Sequence, residues 1–302
     1  MEIKNLRGEI KKNEPLCKHT SFGIGGPADV LVYPADHNEL IVVLKEIKKR
    51  GMPYFALGSG TNVLVRDGGF RGAVICLKRM TAVEIEREYR SIGGAFAVVR
   101  AEAGASLAKA LSVTAEEGLT GLEFAAGIPG TVGGAVCMNA GTAAGEIGDV
   151  IESVTLLSPA GTLVSRSREE MGFGYRTSSI PEGHLVLEAK LVLRRDDKNK
   201  IQARVKEIMD KRNLHQPQGL PNAGSMFKNP HEVSAGKLIE AVGLKGKIVG
   251  DAQVSEKHAN FIVNRGKATA ADVLKLMELV KKTVLDVRGI RLEPEIKIIG
   301  ED

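Results

Sequence analysis

An α+β fold is what this 302-residue sequence predicts, and three observations predict it. Tyr54 to Ile75 reads as a short strand, a polar glycine turn and a second strand, with no helix directly behind the turn. Helical stripes with their own cap residues follow Asp36, Ser106 and Thr269. Between them, Phe124 to Gly145 carries no charged side chain, although 26% of the chain is charged.

That uncharged stretch is the most informative one. Gly127, Gly130, Gly133, Gly134 and Gly141 remove Cβ atoms, so backbone N–H groups can lie directly against a ligand. Such a surface suits a nucleotide pyrophosphate, which needs N–H donors and shape more than lysines. It reads equally as a glycine turn with an alanine-rich buried helix behind it. Gly58-Ser59-Gly60-Thr61-Asn62 is a second candidate phosphate loop, between Tyr54–Leu57 and Val63–Val65. Neither loop is a Rossmann fingerprint, which needs a third glycine and an immediate helix, and no Gly-Lys-Ser/Thr of a Walker loop follows.

Along the chain, Thr20 to Tyr33 ends in an alternating strand. Asp36 caps a helix bearing Leu40, Val43, Leu44 and Ile47, closed by Gly51. Ser106 precedes Leu107, Ala110, Leu111 and Thr114, and Gly118 stops that helix. Strands are expected at Val154–Leu157, Thr162–Val164 and Leu185–Leu193. Asp196-Asp197-Lys198-Asn199-Lys200 reads as a solvated link, placing a boundary near Lys198–Lys200. Beyond it come helices over Ile201–Leu214 and Lys237–Val242. Thr269 and Asp272 form a capping-box variant before the stripe Val273, Leu276, Val280 and Val284, which ends near Gly289. Arg291–Ile299 is a closing strand.

Composition bounds the function classes. Hydrophobic content of 43% and a mean hydropathy of -0.05 are those of a globular protein. The charged N-terminus has no apolar leader core and no run approaches a membrane span, so a cytoplasmic protein without a membrane partner is expected. Cys17, Cys76 and Cys137 lack the spacing of a disulfide framework or a zinc site, and no metal is expected. The net charge of +5 fits small anionic ligands. With aromatics at 4% and no Trp there are few platforms for single-stranded nucleic acid, and none is expected as a partner.

Three further segments carry polar groups that apolar periodicity does not explain: Gly172–Ser178 with Arg176, Pro221–Pro230 with Ser225, Lys228 and Asn229, and Leu292–Ile299 with Glu293, Glu295 and Lys297. Taken singly, Arg176 reads as a surface arginine, Ser225 as a turn hydroxyl and Glu295 as the wet face of an edge strand. Together with G-S-G-T-N-V-L-V-R-D-G-G-F-R-G, A-G-I-P-G-T-V-G-G-A-V-C-M-N-A-G and S-E-K-H-A-N-F-I-V-N, however, they resemble the UDP-N-acetylenolpyruvoylglucosamine reductase family. The matches run in order from about Thr20 to Gly300.

The resemblance implies a two-subdomain FAD-binding module of the vanillyl-alcohol-oxidase type followed by an α+β substrate domain. Residues 1–77 with 290–302 would form the first subdomain, 78–198 the second and 199–289 the substrate domain. Gly58, Ser59, Gly60, Thr61 and Asn62, with Gly127, Ile128, Pro129, Gly130, Thr131, Gly133 and Gly134, match the loops around non-covalent FAD. The implied reaction, in peptidoglycan precursor synthesis, reduces the enol ether of UDP-N-acetylglucosamine enolpyruvate to UDP-N-acetylmuramate, with NADPH as reductant. Arg176 matches the cationic donor to the substrate carboxylate, protonated Glu295 its partner and Ser225 the proton donor. Lys228 either lowers the pKa of Ser225 or holds substrate. Tyr175, Arg212, His215, Gln216, Asn229 and His258 lie in motifs that line the substrate pocket.

The chain departs from the pattern at Thr142-Ala143-Ala144-Gly145, where the family commonly has an Ala-Tyr-Gly turn. Between Gly174 and Pro181 it also lacks the long tyrosine-bearing insertion of one subgroup, which places it in the shorter one. Two other readings share parts of the sequence: an oxidase of the same flavin fold with covalently attached flavin, for which Cys76 lies just beyond the first loop, and a non-catalytic UDP-sugar or dinucleotide-binding protein.

Overall fold

The computed structural model describes residue 3, residues 6–230 and residues 233–302. Met1–Lys11, Leu31–Gly58 and Ala73–Arg212 make one compact unit, and Lys12–Val30, Ser59–Gly72 and Asn213–Asp302 make another.

In the first unit, helix α1 (His37–Lys49) starts where expected: the Asp36 carboxylate accepts from the Glu39 amide, and Leu40, Val43, Leu44 and Ile47 are buried. Tyr54–Ala56 pairs in parallel with residues 73–75. The unit's main sheet is antiparallel, in the order Leu163–Ser167, Ile151–Leu157, Leu185–Arg195, Gly94–Glu102 and Val83–Ser91. Period-two patterning explains its two faces. Along Leu185–Arg195, Leu187, Ala189, Leu191 and Leu193 are buried, while Glu188, Lys190 and Arg194 between them are not. The wet face carries cross-strand ion pairs, Arg100 with Glu188 at 3.0 Å and Glu84 at 2.8 Å, and Lys190 with Glu86 at 2.6 Å. Exposed pairs of this kind contribute at most about 1 kcal/mol each.

Helices α2 (Leu107–Glu116) and α3 (Val132–Met138) follow. Ser106 caps α2 by accepting from the Lys109 amide. Helix α3 packs against the Leu185–Arg195 strand. Its Gly133 permits a close approach, for a Cβ there would lie 2.9 Å from the Ala103 methyl. Helix α4 (Lys198–His215) corrects the expectation of a link at Lys198–Lys200. Those residues are its first turn, with Asp197 accepting from the Lys200 amide at 3.0 Å. Of its side chains only Ile201 is buried, so the helix has almost no apolar stripe from which its start could be read.

The second unit holds a four-stranded antiparallel sheet, in the order Asn222–Ser225, Phe261–Asn264, Ala252–Val254 and Ile248–Val249. Helices α5 (Ala235–Ala241) and α6 (Ala270–Arg288) bury Leu238, Ile239, Val273, Leu276, Val280 and Val284 in a core with Phe22, Met226, Phe227 and Ile262. Thr269 and Asp272 form the expected capping box, and Gly289 closes α6 at φ +68°. A second carboxylate reinforces that helix start: Asp67 accepts from the amides of Ala270 at 2.8 Å and Ala271 at 3.0 Å. The closing strand is shorter than expected, only Lys297–Ile299, and runs parallel to Val63–Val65.

Candidate active site

In the first unit Gly58 meets Thr131 of the second glycine loop. A Cβ on Gly58 would lie 2.6 Å from Thr131 Oγ1, so a side chain there would displace the hydroxyl that caps α3. Gly127 and Gly130 of the first unit adopt φ of +72° and +144°, and Gly60 of the second unit adopts +66°. Among the described residues, the amides of Ser59, Gly60, Gly130 and Thr131 donate no hydrogen bond within the chain. In each loop by itself, uncommitted N–H donors fit the pyrophosphate of a cofactor. Gly133 and Gly134 do not extend that donor set. They lie inside α3, and their amides go to Ala103 O at 2.9 Å and Thr131 Oγ1 at 3.2 Å.

Arg176 sits at the corner of a tight turn closed by two bonds, Gly174 N to Thr177 O at 3.1 Å and Thr177 N to Gly174 O at 3.2 Å. Its φ of +58° is left-handed, a conformation costing a non-glycine residue about 1–3 kcal/mol. The guanidinium donates to Gly141 O at 3.1 Å and stands 5.1 Å from the Tyr175 ring centroid. Asn139 holds the turn from behind. It is fully buried at the C-terminus of α3, donates to Gly174 O at 3.0 Å and Glu146 Oε1 at 2.6 Å, and accepts from Gly148 N at 3.0 Å. Arg212 lies beside the Gly127 turn, since a Cβ on Gly127 would come within 3.0 Å of its Nε. Burial, and then the charge of Arg176, lower the Arg212 guanidinium from its ordinary value. Tyr175, Arg176 and Arg212 therefore share one region of this unit.

In the second unit the strand ending at Ser225 runs on as Met226–Lys228 beside the segment Glu293–Glu295. Glu295 N donates to Met226 O at 2.9 Å, and Lys228 N donates to Glu293 O at 2.9 Å. Ser225 and Glu295 are thus one hydrogen-bonded step apart on neighbouring backbones. Asn62 joins them from the first loop, donating to Glu295 O at 3.3 Å. Lys228 Nζ is 3.9 Å from Glu293. Asn229 Oδ1 accepts from Ala235 N at 3.0 Å, so part of that side chain shapes the approach to α5.

His258 packs edge-on to Phe261, its Nδ1 facing Asn260 N at 3.2 Å. Burial lowers its pKa, so the ring is neutral and carries its proton on Nε2, ready to donate. His215 is exposed and Gln216 half-buried. The buried asparagines that fix these segments, Asn139 and Asn260, were not singled out from the sequence.

Known proteins account for this arrangement. The model of the FAD binding domain matches residues 28–167. That match and the two glycine loops define an FAD-dependent oxidoreductase. The model for the C-terminal domain of UDP-N-acetylenolpyruvoylglucosamine reductase matches residues 216–299. The reductase of Clostridium tetani is 45% identical over 99% of this chain and 95% of its own. That of Geotalea uraniireducens is 43% identical over 99% and 97%. The crystal structure of the Thermus caldophilus reductase covers 98% of this chain and 100% of its own, with a TM-score of 0.82 at 37% identity. This chain belongs to the UDP-N-acetylenolpyruvoylglucosamine reductase family. Its fold is the expected α+β one with an FAD-binding module, and it uses FAD with NADPH as reductant.

Proposed function

We propose that the chain reduces UDP-N-acetylglucosamine enolpyruvate to UDP-N-acetylmuramate in peptidoglycan precursor synthesis, with Arg176, Ser225 and Glu295 as its catalytic residues. The observation that carries the assignment is the pairing of Met226–Lys228 with Glu293–Glu295, which puts an acid-bearing strand and a carboxyl-bearing segment in fixed register. The chemistry supplied by bound FAD is hydride transfer, from NADPH and on to C3 of the enolpyruvyl group. Negative charge then grows at C2 and spreads into the adjoining carboxylate. Arg176 meets that carboxylate with a planar fork of donors, and the Glu295 carboxyl group is its partner in the reaction. Ser225 gives its proton to C2, which completes addition across the double bond. A serine hydroxyl is a weak acid, sufficient here because the acceptor is a carbanion. Neutral His258 offers an Nε2–H to substrate oxygens, and Tyr175, Arg212, His215, Gln216, Lys228 and Asn229 complete the substrate contacts.

The amides of Ser59, Gly60, Gly130 and Thr131 hold the FAD pyrophosphate, with Gly58, Thr61, Asn62, Gly127, Ile128 and Pro129 shaping their loops. Residues 1–77 with 290–302 and 78–198 serve as the two FAD subdomains, and 199–289 as the substrate domain. FAD is held without a covalent bond. Cys76, beside the first loop, is buried with its Sγ 4.0 Å from Gly58 O, and burial raises its pKa, which makes it a poor nucleophile. Among the described residues no helix is long and apolar enough to cross a membrane, and no cluster of His, Cys, Asp and Glu is arranged for a metal ion. We place the enzyme in the cytoplasm, where NADPH and nucleotide sugars are found.

Replacing Ser225 with Ala tests the central role. Reduction of bound FAD by NADPH should persist, while reoxidation by substrate slows about 10²–10⁴-fold. Deuterium from solvent should enter at C2 in the wild type. Reoxidation at the wild-type rate in Ser225→Ala removes the serine from the mechanism.

A further inference from the structure

We propose that Asn260 is a positioning residue for this reaction, its side-chain amide standing in for a strand that the sheet lacks and setting the register of Ser225, Lys228 and Glu295. The proposal rests on the roles given above to Ser225 and Glu295 and adds how they are held.

Strand Asn222–Ser225 pairs with Phe261–Asn264 through Asn222 with Val263 and Ser225 with Phe261, and its register shifts in between. Past Ser225 the neighbouring strand has ended, for residues 259 and 260 form a turn. The functional segment would run on without a partner at that edge. Asn260 supplies one. Its main-chain carbonyl accepts from Met226 N at 2.8 Å. Its Oδ1 accepts from Phe227 N at 3.0 Å, and its Nδ2 donates to Phe227 O at 2.8 Å. A carboxamide offering one acceptor and one donor to the same residue reproduces what an extended strand offers.

The opposite edge of this three-residue segment carries the bonds to Glu293 and Glu295. Met226–Lys228 is therefore clamped on both sides, and Ser225 and Glu295 take their relative position from it. Asn260 is only 3% exposed, so removing its amide leaves the Phe227 N–H and C=O without their protein partner in a buried place. Met226 and Phe227 are themselves anchored in the apolar core, at 0% and 1% exposure. That packing holds the side chains, and the Asn260 amide adds the two hydrogen bonds that hold the Phe227 backbone itself. Asn260 also faces His258 through its main-chain amide, so the same turn places a second pocket residue.

The expected signature is a defect confined to the step that uses Ser225. In the FAD-loaded enzyme, Asn260→Ala and Asn260→Asp should reduce normally with NADPH and reoxidise with substrate about 10²-fold more slowly, as befits a catalytic group moved by about 1 Å. Native-state exchange of the Phe227 amide should accelerate in both variants, a readout independent of turnover. Asn260→Asp adds a diagnostic. Its carboxylate accepts from Phe227 N but sets an oxygen against Phe227 O, and protonation restores a donor there. Reoxidation in that variant should recover as pH falls, while the wild type shows no such gain.

Equal slowing of both half-reactions, or reoxidation at the wild-type rate, overturns the proposal. So does an Asn260→Asp enzyme whose reoxidation fails to improve in acid. If Asn260→Ala does not fold, the Asp variant decides alone. Ser225→Ala is measured alongside: normal reoxidation there withdraws the underlying mechanism, whereas slow reoxidation there with unaffected Asn260 variants sinks only the role of Asn260.

Discussion

The turn that carries Arg176 and the strand that carries Ser225 place their side chains by different means. At Arg176 the backbone is left-handed, the corner is closed by two bonds between Gly174 and Thr177, and a buried Asn139 holds the Gly174 carbonyl. At Ser225 the residue's own backbone is extended, the strand shifts register just before it with Gly224 at φ +74°, and order comes from hydrogen bonds on both edges of the next three residues. The arginine thus occupies a position that its own φ opposes, while beside the serine the left-handed residue is a glycine, Gly224, which bears that φ without strain. A local strain at the arginine is the kind of departure that functional sites retain. The lesson is that the cation should be separable from stability, whereas the serine segment should not be.

Left-handed corners give the sharpest way to break this contrast. Gly60 and Arg176 share nearly the same φ, +66° and +58°, but only the first is glycine. A Cβ on Gly60 would stand 2.2 Å from His19 O, against backbone that cannot step aside. Gly60→Ala should therefore cost at least about 3 kcal/mol, combining φ strain with the clash. A urea midpoint within error of wild type would mean that this loop has room the structure does not show.

Arg176→Gly should do the reverse. Relief of left-handed strain offsets the entropy that glycine adds to the unfolded chain, so stability should stay within about 1 kcal/mol of wild type. Substrate-driven reoxidation should fall about 10²–10³-fold, the scale for losing one donor to a developing anion. Arg176→Lys keeps the charge but not the fork, and should fall almost as far. Equal losses in the NADPH half-reaction would give Arg176 a role in holding the cofactor and erase the contrast with Ser225.

Much of the fold was legible because its signals are local. Asp36, Ser106 and the Thr269–Asp272 pair cap helices within three residues of themselves, and sequence spacing shows that directly. The glycine loops were legible as loops, but not that Gly133 and Gly134 belong to a helix whose cap takes one of their amides. The start of α4 was missed because a helix with one buried side chain has no apolar period. Asp67 reaching the start of α6, and Asn260 reaching Phe227, are contacts made only after the chain has folded back over many residues. Polar groups that work at such distance leave no pattern in the sequence. Arg176 shows a further limit, because an arginine in a Gly-Tyr-Arg-Thr turn gives no sign of a positive φ.

Asn139→Gly measures how much the support behind the arginine matters. Asn139 itself has φ +41° at the end of α3, so glycine keeps the helix stop and removes only the side-chain bonds. Those bonds are buried, and their loss should cost about 1–3 kcal/mol. Reoxidation should slow about tenfold, less than for Arg176→Gly, since the guanidinium is still present but less firmly aimed. An effect on reoxidation as large as that of Arg176→Gly would make Asn139, and not the turn, the main determinant of the arginine's position.

The smallest effect expected is at Glu123, which holds α4 and therefore Arg212 to the first unit. Burial opposes the Glu123 carboxylate, but Thr120 Oγ1 and Gly121 N, each at 2.7 Å, and Arg204 at 2.9 Å outweigh it and lower its pKa. A carboxyl whose folded pKa is depressed adds stability above its unfolded value, about 4.3, and loses it as pH falls through the lower folded value. Glu123→Gln removes that contribution at every pH. Its urea midpoint should therefore lie below wild type at pH 7, with the gap narrowing by pH 3 as the wild-type carboxyl protonates. Arg204 would keep its 2.7 Å contact with Asp196, so the helix should remain docked and the loss should be modest. If the gap instead widened in acid, the carboxylate would be stabilised less in the folded protein than in the unfolded chain, and the tie between α4 and the sheet would have to come from Ile201 and Asp196 alone.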